Sequence, residues 1–181
     1  MHRRPTLAGL VAVGLLACGG QARGPGGTPL ERPSASATLF DSTGARAGLA
    51  SFSESNGAVQ LGISVSGLTP GQHGMHVHES GTCTPPKFES AGAHFNPASK
   101  QHGTRNPAGP HAGDLPNLIV EANGSADTTY TVSSALLTPG PSSMLGTEKR
   151  AFVIHADPDD EASDPSGNSG DRTVCGVIET R

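Results

Sequence analysis

The sequence predicts an all-β domain, and three observations carry the prediction. Apolar residues recur at every second position in short runs, most clearly at Val59, Leu61, Ile63 and Val65, the pattern of a strand with one buried face. Twenty-five glycines and 15 prolines punctuate the chain, and no convincing helical period lies between the runs. With no Trp, one Tyr and five Phe, the core must come mainly from Val, Ile, Leu and Ala. The 181 residues allow one domain with short appendages, because a domain takes roughly 100–200 residues. Hydrophobic residues make up 34%, and glycine brings the sum back to a globular figure, which excludes disorder throughout. Twelve basic and 16 acidic residues leave a net charge of −4, so the chain has no electrostatic footprint for nucleic acid.

Taken in order, the elements begin with Met1-His2-Arg3-Arg4 and an apolar run from Leu7 to Ala17. Residues 1–17 read as an export signal, because about eleven apolar residues cannot span a bilayer of ~30 Å. Leu15-Leu16-Ala17-Cys18 resembles a bacterial lipobox, in which the chain is cut before a cysteine that is then acylated. The alternative is an ordinary signal cleaved near Ala17, with Cys18 a bystander. Cleavage at this point leaves 10 basic and 16 acidic residues, a net charge of −6. Residues 18–36, rich in Gly and Pro, read as a flexible tether, and residues 37–181 as the domain. The expected location is the periplasm or cell surface, with a lipid at Cys18 as the membrane contact. The chain has three cysteines. Lipidation of Cys18 leaves Cys83 and Cys175 to pair in an oxidising compartment, with two free buried thiols as the alternative.

Within the domain, Leu49–Phe52 leads into Ser55-Asn56-Gly57 and then the Val59–Val65 run, which together predict a hairpin. Further strand-like runs are Gly74–Glu79, Leu118–Ala122, Thr128–Val132, Ala151–His155 and Thr173–Glu179, with a tight turn at Asn123-Gly124. Two stretches carry no strand signal: Ser80–Pro116 and Ala156–Asp171. Loops beyond about 15 residues in a compact domain are usually functional, and something must order them.

Histidine supplies a candidate. His76 and His78 alternate along one strand-like run, so both side chains share a face about 6.6 Å apart. An H-x-H pair alone is equally consistent with two solvated histidines. The long loop adds His94, His102, His111 and Asp114, three imidazoles and a carboxylate that suit tetrahedral zinc. His155 ends an apolar run where a buried strand would favour another apolar residue. Imidazole sets without thiolate suit Zn or Cu(II), and one redox-inert ion would leave the remaining histidines without a role, so two metals are expected.

The segments GQHGMHVHESGTC, GAHFNPASKQHG, HAGDLPNL, FVIHADPDD and GDRTVCGVIE resemble the copper/zinc superoxide dismutase family in content and order. The resemblance implies an antiparallel Greek-key β-barrel or sandwich of about eight strands with two long functional loops. It implies copper on His76, His78, His94 and His155, and zinc on His94, His102, His111 and Asp114, with His94 shared. Asp159 matches a carboxylate that links a copper-ligand ring to a zinc-ligand ring, expected to be His76 and His102. Arg172 matches an arginine that guides the anionic substrate, and Cys83–Cys175 matches the family's disulfide. His73 matches a structural, hydrogen-bonded histidine and not a ligand. The activity implied is dismutation of superoxide to oxygen and hydrogen peroxide, with Arg172 and His94 as its catalytic groups. A copper-buffering or copper-delivering module on the same fold is the alternative. The stretch DEASDPSGNSGD, residues 160–171, has acids and no Lys, so association with superoxide is expected to be slow and weakly salt-dependent. Whether the domain is a monomer or a homodimer stays open.

Overall fold

The structure is a computed structural model that describes residues 32–181. The expected export signal and Cys18 lie outside the described residues, as does most of the expected tether. Ten strands follow one another: β1 (Ser34–Asp41), β2 (Arg46–Ser55), β3 (Ala58–Ser66), β4 (Gly71–His73), β5 (Met75–His78), β6 (Leu118–Val120), β7 (Ser125–Val132), β8 (Ala151–His155), β9 (Arg172–Val177) and β10 (Glu179–Thr180). Eight form one antiparallel sheet in the order β5-β8-β9-β1-β2-β3-β7, with β10 on β1, while β4 pairs with β6. The sheet curls into a half-barrel. The β4–β6 pair forms a separate two-stranded sheet, joined to the larger one through Gly74 before β5 and the turn at residues 121–124 before β7. The all-β expectation holds. Among the described residues the helical content is one 3₁₀ turn, Glu89–Ala91.

Strand β1 corrects the expected tether boundary. Ser34–Ser36 belong to the sheet, because Ala35, Ala37 and Leu39 alternate inward with no accessible surface. Alternating Ser and Ala carry little hydrophobic contrast, which hides this strand from a periodicity reading. The β2–β3 hairpin follows expectation: Ser55 pairs with Ala58, and Asn56 and Gly57 take φ of 55° and 73°, the left-handed pair of a tight two-residue turn. Val59, Leu61, Ile63 and Val65 are all buried in the core.

The strands that bear the site are buried on both faces. On β5 and β8, Met75, Val77, Phe152 and Ile154 enter the main core. Ala151, Val153 and Cys175 instead join Phe88 and Ala91 in a smaller apolar cluster. His76 pairs with Val153 and His78 with Ala151, so both histidines stand on that second face, beneath the long loop. A third long connection, residues 133–150, was not foreseen as part of the packed body. Its Ala135, Leu137 and Met144 fill one end of the core. Buried Glu54 holds it by accepting hydrogen bonds from the backbone N–H groups of Leu137 (2.6 Å) and Thr138 (2.8 Å) and from the Thr138 hydroxyl (3.0 Å).

Candidate metal centre

Each ring is oriented by one nitrogen and presents the other. His76 Nε2 donates to Asp159 Oδ2 (2.8 Å), His78 Nδ1 to the carbonyl of Gly92 (3.0 Å), and His155 Nδ1 to the carbonyl of Gly170 (3.1 Å). Carbonyl and carboxylate oxygens only accept, so these contacts place the hydrogen on the outer nitrogen and a lone pair on the inner one. His76 Nδ1, His78 Nε2, His94 Nε2 and His155 Nε2 are accordingly buried without any hydrogen-bond partner. Donor atoms of these four residues lie within 4.8 Å of one another. Unpaired buried nitrogens are costly, and four that converge fit a cation.

A second donor set centres on Asp114. Its Oδ2 accepts from the backbone N–H groups of Gly103 and His111, both at 2.9 Å, which turns Oδ1 towards three rings. Oδ1 lies 3.1 Å from His94 Nδ1, 3.1 Å from His102 Nδ1 and 3.2 Å from His111 Nδ1. His102 Nδ1 and His111 Nδ1 lack hydrogen-bond alignment despite those distances. Ligands ~2.0 Å from a tetrahedral ion stand about 3.3 Å apart, so the spacing is that of donors around a common centre. By mutual donor distance, His76 also falls within 4.8 Å of His94, His102 and Asp114. Its other nitrogen, however, is bound to Asp159, and the direct approaches to Asp114 come from His94, His102 and His111. His94 faces both sets, Nε2 to the first and Nδ1 to the second.

Burial sets the charge of the rings in the metal-free protein. It pushes His76 down to about 3 against the opposing bond to Asp159, and His155 down to about 4 against the bond to Gly170. Burial also lowers His78 and His94, so all four rings of the first set are neutral at pH 7, as ligation requires. His102 differs. Burial works against its charge, but the two carboxylates beside its ring, Asp114 at 3.1 Å and the hydrogen-bonded Asp159, outweigh this and raise it to about 9. The rings and backbone N–H groups around them in turn hold both carboxyls well below the usual carboxylate range despite their burial.

Asp159 joins the two sets: Oδ1 lies 3.0 Å from His102 Nε2, while Oδ2 takes His76. Asn117 fixes it, accepting from the Asp159 N–H and donating to the Asp159 carbonyl, each at 2.8 Å. Arg172 is half-buried, its guanidinium donating to the carbonyls of Phe88 and Gly92, each at 2.7 Å. Those carbonyls belong to the loop that the Cys83–Cys175 disulfide pins to β9, with Cα atoms 5.7 Å apart. Arg172 also lines a surface cleft of about 370 Å3 with Lys87, Glu89 and Asp171.

His73 stays outside both sets. It lies on β4 rather than on the strand of His76, with its ring nitrogens 2.7 Å from the His155 carbonyl and 2.8 Å from that of Thr69. Gly74 separates β4 from β5 and leaves no room for a side chain, whose Cβ would meet Ser169 Cβ at 2.8 Å. Asn117, Gly92 and Asp164 were missed in the sequence. Gly92 acts through its backbone carbonyl, and the Asn117 and Asp164 side chains hold the backbone of Asp159 and His102, partners that no motif spacing reveals.

The copper/zinc superoxide dismutase family model matches residues 46–178. The chain is 42% identical over 146 residues to superoxide dismutase [Cu-Zn] 2 of Aquifex aeolicus, covering 80% of this chain and 85% of that protein. It is 39% identical over 193 residues to superoxide dismutase [Cu-Zn] of Deinococcus radiodurans, covering 99% and 98%. It is also 38% identical over 191 residues to the superoxide dismutase-like protein YojM of Bacillus subtilis, covering 98% and 96%. A crystal structure of a SOD-like protein from Bacillus subtilis superposes with a TM-score of 0.76 at 39% identity, covering 78% of this chain and 96% of that one.

Proposed function

We propose that this chain, which belongs to the copper/zinc superoxide dismutase family, is itself an exported superoxide dismutase. In this reading His76, His78, His94 and His155 hold copper, and His94, His102, His111 and Asp114 hold zinc. The observation that carries it is the set of six buried imidazole nitrogens without partners, divided between two donor sets that share His94. Bound copper would supply the one-electron redox change, and bound zinc a fixed dication beside it.

The chain's own groups do the rest. Two superoxide anions and two protons give one O₂ and one H₂O₂. The Arg172 guanidinium, fixed by two carbonyls, offers a permanent positive charge that favours an anion over neutral oxygen or peroxide. His94 Nε2 takes up a proton in one half of the cycle and delivers it in the other, while Nδ1 keeps the ring seated beside Asp114. Asp159 holds the His76 and His102 rings so that their inner nitrogens stay aimed.

A copper-buffering or copper-delivering module on this fold is the competing reading, and the name of the Bacillus subtilis relative, superoxide dismutase-like protein, keeps it in play. Arg172 and a full donor set at both positions favour the enzyme. Superoxide consumption by the copper- and zinc-loaded chain, beside His155→Ala and Arg172→Ala, separates the two. The enzyme predicts turnover in the wild type, its loss with zinc retained in His155→Ala, and a partial loss in Arg172→Ala. Copper uptake without turnover in the wild type means a buffer.

We also infer a lipid on Cys18 that anchors the domain at the cell envelope, from Leu15-Leu16-Ala17-Cys18 and the basic start of the chain. Fractionation of cells expressing Cys18→Ser tests this. The variant moves to the soluble fraction if the lipid is the anchor, and stays where the wild type is if it is not.

A further inference from the structure

Two clefts approach the paired donor sets, and different groups line them. The cleft that contains Arg172 also holds Lys87 and no histidine. A larger one, about 830 Å3, is lined by His94 and His111 from the zinc-side set together with Asp164. His102 and Asp114 do not line it, so from this side the set is reached past His111 and His94. Its charged wall carries Glu79, Glu148 and Asp164 against Lys100 and Arg150. Arg150 is occupied, donating to the Glu79 carbonyl at 2.8 Å and lying 4.7 Å over the Phe95 ring.

We propose that the dication of the His94, His102, His111 and Asp114 set enters and leaves through this larger cleft, and that Asp164 latches it. The proposal rests on the zinc reading above. Asp164 Oδ1 accepts the backbone N–H of His102 at 2.7 Å and stands 3.9 Å from His111 Nε2. One side chain thus fastens one ligand through its backbone and faces another, yet is half exposed, where an incoming dication meets a carboxylate first. With metal on Nδ1 of His111, Nε2 carries the hydrogen and the carboxylate faces it. The Arg172 cleft offers no such entry: no donor of either set lines it, and Lys87 and Arg172 balance Glu89 and Asp171, so nothing there favours a dication. Other fasteners remain when Asp164 is removed: Arg105 N–H donates to the Glu161 carbonyl at 2.9 Å and Thr104 Oγ1 to Glu161 Oε2 at 2.8 Å.

Zinc transfer from the loaded full-length chain to a coloured chelator, and zinc uptake by the stripped chain, test the latch. Asp164→Ala loses both the acceptor and the charge, whereas Asp164→Asn keeps an acceptor for His102. Release is expected to quicken about 10-fold in Asp164→Ala, the low end of what lost support of a metal-ligating histidine costs, and less in Asp164→Asn. Uptake slows in both, and Lys87→Gln in the other cleft changes neither rate. Wild-type release in Asp164→Ala, or an equal change in Lys87→Gln, overturns the proposal. A chain that takes up no zinc overturns the zinc reading itself, and the latch with it.

Discussion

Asp159 sits in a run with Asp157, Asp160 and Glu161, and nothing in that run marks it out. Its spacing from His155 within the family pattern was the one legible signal, and the structure places it between His76 and His102. Asp159→Asn turns one acceptor into an NH₂ group facing a ring N–H, so one ring must turn. Metal affinity is expected to fall about 10–100-fold with the fold retained, as competition titration would show. Wild-type affinity would contradict the bridging role. The rings also predict how the metal-free protein responds to pH. His76 and His155 fold with pKa values near 3 and 4, below the ordinary 6.5, so their stability is present above 6.5 and lost as pH falls through those values. His102, raised to about 9, contributes fully below 6.5 and loses its share as pH climbs through 9. The thermal midpoint of the stripped protein should therefore peak near neutrality and decline on both sides. A profile flat across both windows would refute these assignments.

Strands with strong contrast were legible, and those without it were not. β3 alternates Val, Leu, Ile and Val with small or polar partners, whereas β1 spells SASATLFD and reads as linker. The three residues of β4 are too few for a period and fell outside the expected Gly74–Glu79 run. The connection at residues 133–150 was silent because one buried carboxylate, Glu54, organises it from 83 residues away. Glu54→Ala leaves the Leu137 and Thr138 N–H groups without that acceptor and should cost about 1–3 kcal/mol in chemical denaturation, with metal content unchanged. A loss of metal instead would mean that this connection supports the site directly. The Cys83–Cys175 bridge spans 92 residues, and the loop-entropy model assigns it about 4–5 kcal/mol. Cys83→Ala should destabilise the protein by that order. It should also weaken the effect of Arg172→Ala on turnover, because the Phe88 and Gly92 carbonyls that fix the guanidinium ride on the freed loop.

At the scale of the molecule, two clefts with different linings flank the site, one holding Arg172 and the other His94, His111 and Asp164. The acidic composition of residues 160–171 was visible in the sequence, but not that Lys87, far along the chain, shares the Arg172 cleft with Glu89 and Asp171. Two cations facing two anions leave little net field, so the rate constant with superoxide should fall only gently with added salt. A steep decline would show a stronger guiding field than these groups supply. The donor residues were legible because metal chemistry demands particular side chains at fixed intervals. The carbonyls that orient them were not, since backbone groups leave no trace in residue type, nor was Asn117, whose side chain grips the backbone of Asp159 42 residues away. Everything turns on two distinct metal sites, and metal content counts them directly. Elemental analysis of the remetallated chain should find one copper and one zinc, with copper lost in His155→Ala and zinc lost in His111→Ala. One metal alone in the wild type, or both metals lost together in either variant, would contradict the account.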